Sequence, residues 1–194
     1  SSAASDVYKR QTGTTPMHVR KDTSLALSEI ILAVNHIANK NQPNALGSVG
    51  HIEVSPNSRN VIAGNSLFTI DIRSPDINKL EKMENELRDM AIDICNKYKV
   101  KFEMDQIGGF DPVAFDKECL DNIRNSADKF GYSHKDIVSG AGHDACWINT
   151  VAPSAMIMCP CVDGLSHNEA EEIKPEWAFS STNVMLHAAI DSAK

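Results

Sequence analysis

A chain of 194 residues, 42% of them hydrophobic and 23% charged, is long enough to bury a core of ordinary globular composition. Its formal net charge of −7, with Lys and Arg scattered and no basic run longer than Arg20-Lys21, excludes a general nucleic-acid binder, because phosphate binding requires a clustered basic face. No apolar stretch approaches the roughly 20 residues of a membrane-spanning helix, so no membrane partner is expected.

The first residues, Ser1-Ser2-Ala3-Ala4-Ser5 through Gln11, carry neither an apolar h-region nor an Arg-rich amphipathic pattern, so they are not read as a targeting segment. They look like the translation of a sequencing-library adapter, and residues 1–11 are expected to be a non-native leader. From Asp22, Thr23 or Ser24 a helix is expected to run to about Asn41, with Leu27, Ile30, Ile31, Val34 and Ile37 as its apolar stripe. Ser48 to Val54 alternates as a strand, Ser55-Pro56-Asn57 turns, and Val61-Ile62 is extended. Leu67 to Arg73 alternates again. Ser74-Pro75-Asp76 opens a long helix with Leu80, Met83, Leu87, Met90, Ala91, Ile94 and Tyr98 on one face, and Val100 to Ile107 alternates as a third strand. Helix, strand, strand, helix, strand is a ferredoxin-like order without its first strand.

Gly108-Gly109 and Asp111-Pro112 read as a linker. Beyond it the pattern gives a helix near 116–130, a Gly-rich loop at 139–142, a short helix near 144–150 and a buried strand from Ser154 to Met158. A polar loop then leads to a final helix from Pro175, which is tolerated in a first turn, to about Ser192. This block reads as α/β with too few strands for a whole domain.

The cysteines, Cys95, Cys119, Cys146, Cys159 and Cys161, form an odd set without a CxxC pair, which favours a reducing, cytoplasmic setting. Cys159 and Cys161 flank Pro160 and would point the same way along a strand; they read as a metal or redox pair or, preferably, as two small apolar core residues.

Three groups of residues carry chemistry. In Ser139-Gly140-Ala141-Gly142-His143-Asp144-Ala145 the small residues admit a ligand close to the backbone, and His143-Asp144 is a catalytic or ligand pair, or else a tight turn capped by Asp144. His167 sits in the polar loop Asp163 to Glu171 after an expected buried strand, where α/β enzymes place ligands, and neutral imidazole is a common zinc ligand. A lone His is more often without such a role, and no local set of three or four donors accompanies it. Arg73 ends an apolar strand, so its guanidinium emerges at the rim with a donor fork suited to a carboxylate; Asn60 lies at the preceding turn. The ordinary alternatives are a surface ion pair for Arg73 and a turn residue for Asn60.

Taken in order, Gly13-Thr14-Thr15-Pro16-Met17, Asn60-Val61-Ile62, Asp71-Ile72-Arg73, Ser139 to Ala145 and Asp163-Gly164-Leu165-Ser166-His167-Asn168 resemble the N-carbamoyl-L-amino-acid hydrolase, β-ureidopropionase and allantoate amidohydrolase family, within the clan of aminoacylases and zinc carboxypeptidases. The resemblance implies an α/β catalytic domain interrupted by a ferredoxin-like lid through which two copies dimerise. Residues 12–108 would be the lid and 109–194 the C-terminal segment of the catalytic domain. It implies two divalent ions, zinc by family habit with Mn, Co or Ni as substitutes, whose chemistry is carbonyl polarisation and a hydroxide at neutral pH. His167 resembles the last metal ligand, Asn60 and Arg73 the grip on the substrate carboxylate, and Gly140 and Gly142 a substrate-binding loop; His143 is given no ligand role. The other ligands and the general base are expected upstream in a longer protein, so no catalytic residue is assigned here and the chain alone is expected to be inactive. Gln11 stands where the family carries a His thought to stabilise the transition state. Allantoate is the alternative substrate within the family, a peptidase or aminoacylase is less favoured, and a non-catalytic dimerisation or ligand-binding module is the alternative of another class.

Overall fold

A computed structural model describes residues 10–194. The expected leader therefore falls almost wholly outside the described residues. The chain divides into two compact units, one ending at Pro112 and the other spanning Val113–Lys194. Helices combine with a small antiparallel sheet, an α/β architecture.

In the first unit, Asp22 caps helix α1 (Thr23–Lys40), its carboxylate accepting the Ser24 N–H at 3.0 Å. Ala26, Leu27, Ile30, Ala33, Val34, Ile37 and Ala38 recur at helical spacing and are the residues α1 buries. Strands β1 (Leu46–Ser55) and β2 (Asn65–Arg73) pair antiparallel from Leu46–Arg73 to Ser55–Asn65, with an irregularity between Val49 and Ile52. Gly47 lies so close to α1 that a Cβ there would meet Ala38 Cβ and Val34 Cγ1 at 3.2 Å, so the missing side chain lets strand and helix approach. Helix α2 (Ile77–Lys97) starts at Asp76, which caps Asn78 and Lys79, and buries Met83, Leu87, Ala91 and Cys95.

Ile30, Ile37, Met83 and Leu87 are at most 2% exposed, and each such burial contributes about 1.5–3 kcal/mol. Burial pushes the Cys95 thiol up, so it packs as a small apolar group. At the surface, Lys40 pairs with Glu86 and Lys97 with Glu29, each at 2.6 Å, tying α1 to α2.

The strand expected over Val100–Ile107 does not form. Val100, Phe102 and Met104 are half-buried against the core while Lys101, Glu103 and Asp105 are exposed, so the alternation in the sequence does mark alternating burial. A strand also needs a ladder partner, and none pairs with this segment among the described residues.

In the second unit, Asp116 caps α3 (Lys117–Lys129) through the Cys119 N–H at 2.9 Å, and α3 packs on α5 (Pro175–Ser192). Between them lies the short α4 (Asp144–Ile148). The strand expected over Ser154–Met158 is likewise absent: Ser154 to Ile157 are half-buried and unladdered, although the Ser154 carbonyl accepts the Asp116 N–H at 3.0 Å.

Candidate functional site

The first unit holds Asn60 and Arg73. Arg73 is the last residue of β2, and strand alternation separates it from Phe68, Ile70 and Ile72, which pack on the core. Asp71 shares its outward face. Arg73 Nε lies 3.0 and 3.2 Å from the two Asp71 carboxylate oxygens, and Nη2 donates to Oδ2 at 2.5 Å. The guanidinium beside it holds the Asp71 carboxyl below the usual carboxylate range, and Asp71 in turn raises the Arg73 guanidinium. About half of each side chain remains exposed, at 48% and 51%.

Asn60 sits in an exposed turn, its side-chain oxygen accepting from Ser58 Oγ at 3.3 Å. Its carbonyl accepts the Thr12 N–H at 2.9 Å, and Ile62 donates to the Arg10 carbonyl at 2.8 Å around a Gln11–Val61 bridge. Gln11, the departure from the family pattern, is thus stitched beside Asn60. Sequence reasoning linked neither Gln11 to Asn60 nor Asp71 to Arg73, although Asp-x-Arg on a strand does place both side chains on one face.

The second unit holds Gly140, Gly142 and His167. Gly140 and Gly142 lie in an exposed loop braced by Ser139, whose hydroxyl accepts the Ala141 N–H at 3.2 Å and stands 3.0 Å from His143 Nε2. His143, not Asp144, occupies the N-cap of α4, without a side-chain cap bond; Asp144 enters the first turn, where a carboxylate suits the positive end of the helix. That corrects the reading of Asp144 as the cap.

His167 lies in the loop between the 3₁₀ turn Val162–Gly164 and α5. Its backbone is left-handed, φ 54°, as is that of Asp163 at φ 56°; non-glycine residues adopt this region uncommonly. Glu171 closes over the loop: Oε2 accepts the His167 N–H at 2.9 Å, and Oε1 accepts from the Cys161 thiol at 3.6 Å. The loop base is joined by the Val162 N–H and the Glu172 carbonyl at 2.8 Å. The polar loop expected from the sequence runs to Glu171 without giving it a role, because a His-x-x-x-Glu spacing in a loop carries no periodicity that brings the two together.

Cys159 and Cys161 are not joined in a disulfide and are not core residues. Both are half-buried free thiols, and Cys159 accepts from Ser181 Oγ at 3.1 Å. Burial, then the Glu171 carboxylate, push the Cys161 thiol up. Among the described residues no three His, Cys, Asp or Glu side chains converge to hold an ion. His167 alone does not make a metal centre, and these residues by themselves do not fit a bimetallic site.

Residues 10–191 match the family described as peptidase family M20/M25/M40. The chain is 50% identical over 183 residues to an N-carbamoyl-L-amino-acid amidohydrolase of Rhizobium meliloti, covering 94% of this chain and 44% of the relative. It is 33% identical over 160 residues to an allantoate amidohydrolase of Escherichia coli, covering 82% and 39%. A crystal structure of a hydantoinase/carbamoylase family amidase from Burkholderia multivorans superposes with a TM-score of 0.85 at 46% identity, over 92% of this chain and 43% of that one. The chain spans less than half the length of these relatives.

Proposed function

The chain belongs to peptidase family M20/M25/M40, and from that premise we propose that it forms the C-terminal part of an enzyme hydrolysing the carbamoyl (ureido) C–N bond of N-carbamoyl-L-amino acids. The identity to the Rhizobium amidohydrolase carries this reading. Members of the family are generally metal-dependent. In this reading His167 gives one imidazole to a centre, zinc by preference, whose remaining donors the described residues do not supply. No step through the metal follows from this chain.

What the chain's own residues contribute is binding. The Arg73 fork already holds one carboxylate, that of Asp71, through Nε and Nη2. The same donors suit the carboxylate of an amino-acid substrate, which would exchange with Asp71, while the Asn60 amide supplies a further polar contact. Gly140 and Gly142 leave a loop without side chains where a substrate approaches the backbone. Residues 12–108 act as lid and dimerisation domain of a homodimer, residues 109–194 close the catalytic domain, and the enzyme works in the cytoplasm.

A second substrate, allantoate, is favoured by the similarity to the Escherichia coli relative, and it too pairs a ureido group with a carboxylate. A chimera joining the N-terminal part of the Rhizobium relative to residues 12–194 tests the proposal. With zinc it is expected to release ammonia from an N-carbamoyl-L-amino acid faster than it turns over allantoate, and the 194-residue chain alone to release none. His167→Ala in the chimera is expected to lower kcat by at least ~100-fold through loss of a metal donor. Turnover by the chain alone would refute the division of roles; an unaffected His167→Ala chimera would leave a binding module as the better account.

A further inference from the structure

We infer that Glu171 is the positioning residue for His167, holding the loop in the left-handed backbone conformation from which the imidazole projects. The inference rests on the reading of His167 as a metal donor and names what keeps that donor in place. The loop has two sides, and Glu171 reaches both. One carboxylate oxygen takes the N–H of left-handed His167 at 2.9 Å, and the other takes the Cys161 thiol at 3.6 Å on the strand-like side. Asn168 builds the turn that returns Glu171 to this position: its side-chain oxygen accepts the Ala170 N–H and its carbonyl accepts the Glu171 N–H, each at 2.9 Å. The Val162–Glu172 backbone bond then fixes the base.

A left-handed histidine persists only where its surroundings over-determine it. Here the over-determining group is an ionisable side chain four residues on, whose two oxygens are divided between the two sides of the loop. The neighbouring Glu172 enters the arrangement through its backbone oxygen alone. Loss of the Glu171 carboxylate would free the His167 N–H and let the residue relax toward the common right-handed or extended regions, swinging the imidazole with it. Outer-shell groups that orient a metal ligand typically carry a 10–100-fold effect on metal affinity.

The test begins on the 194-residue chain, with amide hydrogen exchange followed by NMR in the parent, Glu171→Ala, Glu171→Gln and Glu172→Ala proteins. Glu171→Ala is expected to speed exchange at the His167 amide by about tenfold or more while amides of α3 and α5 keep their parent rates, showing that the fold survives. Glu171→Gln keeps an oxygen acceptor and is expected to restore most of the protection; Glu172→Ala should leave it unchanged. In the chimera, zinc affinity by equilibrium dialysis should fall about tenfold with Glu171→Ala and recover in large part with Glu171→Gln. Equal His167 exchange in the parent and Glu171→Ala proteins overturns the inference, as does a Gln variant no better protected than the Ala variant. If the exchange responds as expected but His167→Ala leaves zinc content and turnover intact, the brace stands and the metal role of His167 falls.

Discussion

The two units spend their apolar residues differently. In the first, Ile30, Val34, Ile37, Met83, Leu87 and Ala91 form one buried cluster, with Val49, Phe68, Ile70 and Ile72 of the sheet closing it from below. In the second, the buried residues among those described are Ser126, Ala127, Val184 and Ala188, all on the facing sides of α3 and α5. Trp147, Val151 and Phe179 of that unit stay 65% exposed or more. Its cohesion comes instead from polar and ring contacts: Arg124 forks onto Asp136 at 3.1 and 2.7 Å, Asn122 donates to Ser192 Oγ at 2.9 Å, and Phe130 meets His187 edge-on at 4.7 Å between ring centroids. Exposed ion pairs are worth little beside buried apolar area. The first unit is therefore stabilised by burial, and the second is held in shape mainly by contacts that water competes for.

Truncating the core should expose this difference most strongly. Leu87→Ala, at a side chain 1% exposed, is expected to cost the first unit about 2–5 kcal/mol, because the cavity is walled by helix and sheet. Val184→Ala in the second unit is expected to cost less, about 1–2 kcal/mol, since it removes fewer buried methyl groups from a thinner core. Urea titrations read by a probe in each unit check both, and equal losses would erase the contrast. A smaller effect has the opposite sign. Ser126 Oγ is buried without a hydrogen-bond partner, so Ser126→Ala is expected to stabilise the second unit by roughly 1 kcal/mol. A destabilised Ser126→Ala protein would show that the hydroxyl is satisfied in solution.

The same contrast decides what could be read without a structure. The first unit's helices were legible because their stripes recur at Leu27, Ile30, Val34 and Ile37 and at Met83, Leu87 and Ala91, and because Asp22 and Asp76 cap them locally. Helix α5 was legible from Pro175 in its first turn, and α3 as a helix near 116–130, without its Asp116 cap. The segments after Val100 and Ser154 were misread as strands for one physical reason: alternation reports which side chains are covered, whereas a strand requires hydrogen-bonding neighbours that a local pattern cannot supply. The candidate site residues stood out singly, and their expected roles came from resemblance to a family. Their supports were not, because Glu171 reaches back on His167 through a turn set by Asn168, and the 10–12 segment finds Asn60 across the chain.

The smallest expected stability effect lies at the Asp71–Arg73 pair, where the first unit departs from its reliance on burial. Both side chains are about half exposed, so solvent screens the attraction, and Asp71→Asn is expected to cost less than about 1 kcal/mol. The sign with pH follows from the direction of the shift. Arg73 lowers the Asp71 carboxyl, so the native state binds its proton less readily than the unfolded chain does. The contribution is present above the unfolded carboxylate pKa of about 3.9 and disappears as pH falls through the lower, folded value. In acid the parent and Asp71→Asn proteins should converge in stability, and at neutral pH they should differ slightly. Function should move more than stability. If Asp71 and the substrate carboxylate compete for the same Arg73 fork, Asp71→Asn in the chimera lowers KM while kcat holds. If Asp71 instead orients the fork for substrate, KM rises, and the exchange of one carboxylate for another at Arg73 is excluded.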